Sequence, residues 1–343
     1  MPIGSRRRRA AAAVGGNVPF EQLPYQCFQE ARKVLQADRE EKVRLIDVER
    51  QRIARLEAQE PFPGTPAQKQ LRLQSMRKHV EYLKVQADIN DPMVKKIFED
   101  GKGDMSKPVY RHLADRKWRS YRRLLIMQRI IQMNVVPDLL PHIDPVIDLS
   151  ISFRGKTAHP GDFVESTLSE EAPILKIQPF DRGERLVTIA VVDPDVPVAE
   201  EDTFKHRCHF LACNVRISPT SPMVKLADLD QESQVVHSWL PPFAQKGTPY
   251  HRLAVFVLQQ PGLERVDLEV ANSKAAQRDG FYLRGFATRH RLAPTGVGLF
   301  RTQWDEGTAG VMHRAGVEGA DIEFKRKRIE PMPYKRKDGS RFR

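Results

Sequence analysis

The segment Val191-Val192-Asp193-Pro194-Asp195-Val196-Pro197 carries two acidic residues at the point where an apolar run gives way to a loop. The run itself, residues 186–192, is typical of a buried strand. Proline fixes φ and has no backbone N–H, so Pro194, which lies between the two acids, and Pro197 restrict the chain around them. This segment therefore predicts a strand that ends in two rigidly held carboxylates.

Two histidines lie in other strand-like runs and are positioned to meet Asp193. His209 is the second residue of Cys208-His209-Phe210-Leu211-Ala212-Cys213-Asn214, and His251 is the first of His251-Arg252-Leu253-Ala254-Val255-Phe256. A carboxylate fixes the tautomer of a neighbouring imidazole, which can then present an N–H to a phosphate or a carboxylate. Asp193, His209 and His251 are therefore predicted to form a small-anion pocket.

Other chemistries fit these residues less well. Zinc is one alternative, because two cysteines and two histidines crowd between residues 206 and 213, but a strand directs Cys208 and His209 to opposite faces. A hydrolase with His209 or His251 as general base is another. For a hydrolase, the sequence offers no nucleophile with a matching partner, and it contains no GxSxG, P-loop or GxGxxG motif. We therefore predict no enzymatic activity, no cofactor and no bound metal.

The positive charge of the chain is concentrated at its two ends. The 343 residues carry a net charge of +12, of which residues 1–150 contribute +9, residues 151–320 contribute −2 and residues 321–343 contribute +5. Only three cysteines occur, without a CxxC pair, and no apolar run is long enough to span a membrane. The pattern indicates a near-neutral globular domain between two polyanion-binding extensions.

The first of these extensions reads as a basic arm followed by helices. Residues 1–20 contain Arg6, Arg7, Arg8 and Arg9 and no acidic residue, which fits either a disordered basic arm or the remnant of a mitochondrial transit peptide. Residues 20–59 lack glycine and predict a long, solvated helix that needs a surface outside the chain. A second helix follows with one apolar stripe, and Pro92 opens a short third helix.

The segment from residue 108 to residue 133 has seven basic residues against one acid, Asp115. On a helix, Trp118 and Tyr121 fall on one face, and Arg116, Arg119 and Arg123 fall on the other. The planar guanidinium fork suits phosphate, so one face is expected to pack on protein and the other to meet RNA; a solvated charged face is the alternative.

The predicted RNA-binding residues of the whole chain are Arg6, Arg7, Arg8, Arg9, Arg111, Arg116, Lys117, Arg119, Arg122, Arg123, Lys325, Arg326, Lys327, Arg328, Lys335, Arg336 and Lys337.

After residue 145 the apolar period changes to that of strands. Ile147, Leu149, Ile151 and Phe153 alternate with polar residues. Further strand-like runs, separated by loops rich in proline and glycine, predict a β-dominated domain; they are residues 186–192, 208–215, 252–258 and 297–304.

Several ordered motifs of this domain resemble those of phosphatidylethanolamine-binding proteins. They are Asp193 to Pro197 followed by His209, then Pro241-Pro242, Lys246-Gly247-Thr248 and His251-Arg252, and finally Pro294, Gly296, Phe300 and Trp304-Asp305. The resemblance covers about residues 145–318. It implies a β-sandwich-like fold of two antiparallel sheets with a small-anion pocket, whose residues match Asp193, His209 and His251.

Four departures from that family pattern affect the pocket. Val198 stands where the family usually has Ser or Asn, and Leu253 stands where it commonly has an aromatic residue. The insert Phe243-Ala244-Gln245 lengthens the pocket-side loop, and the tyrosine expected near Met312-His313 is absent. We therefore expect a retained scaffold with a degenerate anion pocket.

The order of the segments resembles fungal members of a family of mitochondrial large-subunit ribosomal proteins that contain such a domain. Residues 110–113 and 133–138 carry the resemblance outside the β domain. It implies a structural constituent of the large ribosomal subunit in the mitochondrial matrix, bound to ribosomal RNA and to neighbouring ribosomal proteins. The alternative is a free soluble module that binds phosphorylated ligands or lipid head groups as a regulator.

The expected fold is α+β overall, with four segments. They are a basic arm or transit-peptide remnant (1–20), a helical RNA- and protein-binding extension (21–144), the β-sandwich-like domain (145–318) and a basic extended tail (319–343).

Overall fold

The computed structural model describes residues 26–59, 64–198, 201, 203–268, 271 and 277–325. The predictions for the arm at 1–20 and for the tail from residue 326 onward lie outside these residues. The chain divides into two compact units. The helical unit ends at Ser120 and includes residues 180–183, and the sheet unit comprises residues 121–179 and the chain from Glu184 onward.

The helical unit is built from helices whose first turns carry strong start signals. Thr65 and Gln68 form a reciprocal capping box before the second helix, and the Asp91 side chain accepts a hydrogen bond from the backbone N–H of Met93 before the third. A proline at the first position of each of these helices loses no hydrogen bond. The helices are α1 (Gln26–Ala58), α2 (Pro66–Asp88), α3 (Pro92–Glu99) and α4 (Pro108–Lys117).

Helices α1 and α2 pack antiparallel against each other. Ile46 of α1 is buried against Val80 and Leu83 of α2. One end of the pair is tied by Arg39 and Asp88, 2.9 Å apart, and the other by Arg77 and Glu57, 2.7 Å apart. The expectation that α1 needs a surface outside the chain was therefore wrong in part, since α2 covers one of its faces.

A π-helical turn, Trp118–Arg122, follows α4. Trp118 is only 4% exposed, whereas Tyr121, predicted to share its face, is 65% exposed. A π turn holds one more residue than an α turn, so the buried side of the next helix runs through Ile126 and Ile130 instead.

The sheet unit contains two antiparallel sheets. The small sheet has the strand order β2-β1-β3-β6 and the large sheet has the order β7-β5-β4-β8-β9. The strands are β1 (Asp148–Phe153), β2 (Lys156–Ala158), β3 (Ile174–Gln178), β4 (Arg185–Val198), β5 (Thr203–Ile217), β6 (Met223–Lys225), β7 (Val235–His237), β8 (His251–Gln259) and β9 (Ala293–Thr302).

Short helices and turns complete the sheet unit. None of the helices within the described residues is both long enough and apolar enough to span a membrane. The helices are α5 (Arg123–Gln132), α6 (Val135–Asp138), α7 (Ser166–Ser169), α8 (Leu283–Arg289) and α9 (Thr308–Arg314), with a 3₁₀ turn at Leu226–Asp228.

Both faces of the large sheet are buried. On one face, Val191 and Val255 belong to a core shared with Ile177 of the small sheet. On the other, Phe256 belongs to a core that contains Ile130 of α5. Strands buried on both faces read as continuous apolar runs, which explains why β4 and β8 show no alternation of polar residues.

The structure confirms the strands predicted near residues 147, 186, 208, 252 and 297. It differs from the prediction in where the β domain starts. The prediction placed the start at residue 145, whereas the chain belongs to the sheet unit from residue 121. Residues 123–143 cover one face of the large sheet. The prediction placed α5 in the RNA-binding extension because of its arginines, and it did not assign the apolar side chains of this helix to the core of the β domain. The strands β2, β3, β6 and β7 were not predicted; β2, β6 and β7 have only three residues each, which carry no readable period.

We predict that Ile130→Ala lowers the free energy of unfolding by about 2–5 kcal/mol, because it leaves a cavity in a filled core. Ile130 is fully buried, and its neighbour Ile131 is 57% exposed. The matched variant Ile131→Ala should therefore stay within about 0.5 kcal/mol of the wild type in the same denaturant titration. Equal losses for the two variants would contradict the burial of this helix face.

Candidate anion site and basic surfaces

The order of strands in the large sheet brings the predicted pocket residues together. Asp193 lies on β4, which is flanked by β5, carrying His209, and by β8, which begins at His251. The β4–β5 pairing is irregular on either side of Asp193, between Val191 and Val192 and again before Val196. Such irregularities re-aim side chains within a strand. The prediction that the strand ends at the two acids was wrong, because β4 continues to Val198 and contains both of them.

Asp193 is the centre of the cluster. Its Oδ2 accepts a hydrogen bond from Nδ1 of His251 at 2.7 Å, and its Oδ1 accepts one from the backbone N–H of Asp195 at 2.8 Å. Nε2 of His209 lies 3.8 Å from Asp193 Oδ2, which is too long for a hydrogen bond. Nδ1 of His209 donates to the carbonyl of Leu240 at 3.0 Å.

The cluster is deeply buried. Asp193 and His209 are each 1% exposed, and His251 is 3% exposed. Burial alone would raise the pKa of Asp193, but the adjacent His251 and His209 outweigh it and hold that pKa well below its usual range. Nε2 of His209 is buried and has no hydrogen-bond partner in the described part of the chain.

The loop insert noticed in the sequence packs against the site. Phe243 is 6% exposed, its ring lies edge-on to His209 with the centroids 6.2 Å apart, and Ala244 is fully buried. The guanidinium of Arg207 lies 5.0 Å from the Phe243 ring centroid. The insert thus fills space beside His209 instead of forming an open loop.

A segment near the C-terminal end lies along the same loop. The backbone N–H of Phe324 donates to the carbonyl of Lys246 at 2.8 Å, and Gln245 Nε2 donates to the carbonyl of Gly319 at 3.0 Å. Gly247 has φ +86°, and a Cβ there would lie 1.9 Å from the carbonyl oxygen of Phe324. Only glycine permits this approach.

The geometry offers no activated nucleophile among the described residues of the cluster. Thr248 Oγ1, 3.5 Å from His251 Nε2, donates its hydrogen to the carbonyl of Gln245 at 2.7 Å. Burial raises the pKa of Cys208 to about 12 and that of Cys213 to about 11, which disfavours metal-binding thiolates. No described group of three or more acidic, histidine or cysteine side chains is arranged to hold a metal.

The basic residues predicted to bind RNA in the helical unit differ in availability. Arg116 is exposed and makes no hydrogen bond or ion pair within the described residues. Arg119 is paired with Asp115 at 2.7 Å while remaining half-exposed, and the Lys117 ammonium lies 5.8 Å from the ring centroid of Phe98.

Arg111 has a different role from the one predicted. It is 5% exposed, and its guanidinium donates to the carbonyls of Met105 and Ser106 and to the carboxylate of Glu81 at 3.0 Å. The side chain joins α4 to α2 and is therefore buried instead of being presented to RNA. A count of charges could not reveal this, because it does not report burial.

In the sheet unit, the predicted basic residues are ion-paired. Arg122 donates to Asp148 and Ser150, both at 2.7 Å, and Arg123 donates to Asp144. Lys325 is 79% exposed and lies 3.5 Å from a carboxylate oxygen of Glu323. The other predicted residues, at 6–9, 326–328 and 335–337, lie outside the described residues.

Comparison with known proteins agrees with this fold. Residues 151–299 match the family model of phosphatidylethanolamine-binding proteins. The sheet unit contains a domain of this type. The matched range includes β4, β5 and β8, and therefore Asp193, His209 and His251.

The chain is also similar to a ribosomal protein beyond this domain. It is 28% identical over 253 residues to large ribosomal subunit protein mL38 of Schizosaccharomyces pombe, covering 72% of this chain and 79% of that protein. This similarity confirms the predicted resemblance.

Two solved structures are each similar to about half of this chain. A phosphatidylethanolamine-binding protein from Plasmodium vivax shares 15% identity over 52% of this chain and 97% of its own, with a TM-score of 0.41. The carboxypeptidase Y inhibitor, in complex with its cognate proteinase, shares 14% identity over 53% of this chain and 97% of its own, with a TM-score of 0.42.

We predict that Asp193→Ala lowers the free energy of unfolding by about 3–5 kcal/mol near neutral pH, because it leaves buried histidines without their carboxylate. Asp228 is a suitable control, since its side chain is 68% exposed and pairs with Lys225 only at the surface. Asp228→Ala should cost no more than about 1 kcal/mol.

The pH dependence has a defined sign. Because the pKa of Asp193 is lowered in the folded state, its contribution is complete above the ordinary aspartate pKa of about 3.9. It is lost as the pH falls below that value through the lower, folded-state pKa. Denaturant titrations should show the gap between wild type and Asp193→Ala narrowing on acidification; a gap that widens there would contradict the prediction.

Proposed function

We propose that the protein is a structural, non-catalytic constituent of the mitochondrial large ribosomal subunit. The observation that carries the proposal is the extent of its similarity to mL38. That match spans 253 residues, whereas the phosphatidylethanolamine-binding protein model covers only residues 151–299. The similarity thus includes sequence that a free-standing binding domain would not need.

The distribution of charge supports contact with ribosomal RNA. The near-neutral middle of the chain lies between segments of +9 and +5. Cationic side chains release counterions when they neutralise phosphates, and this release drives most of the binding of such extensions. Of the predicted RNA-binding residues that the structure describes, Arg116, Lys117, Arg119, Arg122 and Lys325 have the exposed positions that this role requires.

The packing of the anion site supports a degenerate pocket. Asp193, His209 and His251 lie together and are almost fully buried, and the Phe243 ring packs edge-on against His209. This packing leaves His209 little surface for a ligand of phosphate size. We infer that the site now stabilises the domain and that the proteins and RNA of the ribosome are the partners.

One observation favours the alternative of a phosphate-binding regulator. The unpartnered Nε2 of His209 is a buried polar atom, and such atoms usually have a partner. A bound anion or a water molecule would supply one. The two proposals differ in whether soluble phosphate compounds bind the isolated protein.

We predict that the protein sediments with the large ribosomal subunit in lysates of mitochondria. Digestion with RNase should shift it to light fractions, because the RNA surface that holds it is destroyed. A protein that stays in a free pool before digestion would contradict the ribosomal role.

A charge-reversal control refines this test. Replacing Arg116, Lys117 and Arg119 by glutamate should reduce incorporation. Replacing Arg44, Arg50 and Arg52 on α1 changes the charge equally, also at exposed positions of the helical unit, and should have little effect. Equal losses would indicate that overall charge, not this surface, determines binding.

We also predict that inorganic phosphate and phosphoethanolamine leave the thermal midpoint of the isolated protein unchanged. A ligand at 100 times its Kd would stabilise the fold by about 2.7 kcal/mol, which is readily seen by calorimetry. A stabilisation that Asp193→Ala abolishes would instead favour the phosphate-binding module.

A further inference from the structure

An exposed cluster of two aromatic rings and one guanidinium lies at one end of the large sheet. The Arg301 guanidinium is 3.9 Å from the ring centroid of Phe163 and 5.0 Å from that of Tyr250. The two rings meet edge to face, with centroids 5.9 Å apart and planes at 85°. Phe163 is 47% exposed and Tyr250 is 43% exposed, so both rings keep open surface.

Arg301 is fixed in orientation but not neutralised. Its Nε donates to the carbonyl of Gly161 at 2.7 Å, and the backbone N–H donates to the carbonyl of Asp162 at 2.8 Å. No carboxylate forms an ion pair with this guanidinium within the described residues, and its two terminal nitrogens make no hydrogen bond there. The Arg301 guanidinium is planar, is held against two aromatic rings and keeps free N–H groups. It is therefore suited to bind an anion with two acceptor oxygens.

A second cation–aromatic pair lies at the same end of the sheet. The Lys246 ammonium is 5.6 Å from the ring centroid of Trp304, which is 38% exposed. His251 pairs with Thr302 at the end of the β8–β9 ladder, so Tyr250 and Trp304 both lie just beyond it. The anion site is separate, because His251 is buried whereas its neighbour Tyr250 is exposed.

We propose that Phe163, Tyr250 and Arg301 form a binding site for single-stranded RNA. A base stacks on an open aromatic face, and Arg301 binds the adjacent phosphodiester through its terminal N–H groups. The unneutralised charge favours an anionic partner, and the open rings favour one that also presents flat faces. The inference rests on the proposed ribosomal function and deepens it, since it assigns an RNA contact to the sheet unit and not only to the extensions.

The test measures binding of a fluorescent single-stranded oligoribonucleotide to the purified full-length chain by anisotropy. Raised salt weakens the contribution of the basic extensions more than that of stacking. Under these conditions Tyr250→Leu and Arg301→Lys should each raise the Kd by about five-fold or more. Arg301→Lys keeps the positive charge but removes the planar guanidinium, so an increase in Kd measures the contribution of the planar group.

Two variants in the same unit serve as matched controls. Arg154→Lys alters an exposed arginine that is paired with Glu171, and Tyr282→Leu removes an aromatic ring that is 58% exposed elsewhere. Neither should change the Kd, and all four variants should remain folded at the temperature of the assay. A photo-cross-link from 4-thiouridine in the oligonucleotide should fall on the peptide containing Phe163 or Tyr250.

The outcomes separate this inference from the proposed function. Unchanged affinity in Tyr250→Leu and Arg301→Lys, or cross-links only elsewhere, would overturn the stacking site even if the protein sediments with the large subunit. Competition by an acidic peptide as effective as that by unlabelled RNA would also overturn it, in favour of a protein partner.

Discussion

Burial of both faces of the large sheet is the constraint on which the rest of the sheet unit depends. The small sheet covers one face, and α5, α6 and α8 contribute to the core on the other. The central strands therefore lie in a medium of low polarity, where a polar side chain must find a partner. Asp193 meets this requirement within β4 through His251 and the backbone of Asp195.

This constraint gives the cluster of acid and histidines a structural role that does not depend on a ligand. Removing one member of a buried polar set leaves the others unsatisfied, whereas the intact set contributes little net stability. A site of this kind can lose access to a ligand and still be required by the fold. The packing of Phe243 against His209 is consistent with that state.

Much of the fold could be predicted from the sequence, because the pattern of each long strand is set by how many of its faces are buried. Alternation identified β1, and uninterrupted apolar runs identified β4 and β8. The convergence of Asp193, His209 and His251 followed from the ends of those runs together with the family resemblance. The side on which Phe243 packs could not be inferred, since a loop insert has no period that relates it to the core.

The basic residues show the limit of reasoning from composition. Arg111 and Arg116 are identical in type and one and a half helical turns apart, yet one is buried among backbone carbonyls and the other is exposed. The π-helical turn had a similar effect on Trp118 and Tyr121, because one additional residue rotates everything that follows. Neither effect leaves a signal in a single sequence.

The contact between Gly247 and Phe324 has a consequence for the basic tail. Together with the hydrogen bond from the Gln245 side chain to the Gly319 carbonyl, it fixes residues 319–325 to the loop beside the anion site. The tail therefore starts from a defined point on the sheet unit. Phe324 can approach this closely only because Gly247 has a hydrogen atom where other residues have a Cβ. A change at this one glycine would move the anchorage of the tail without altering a charge or an apolar core residue.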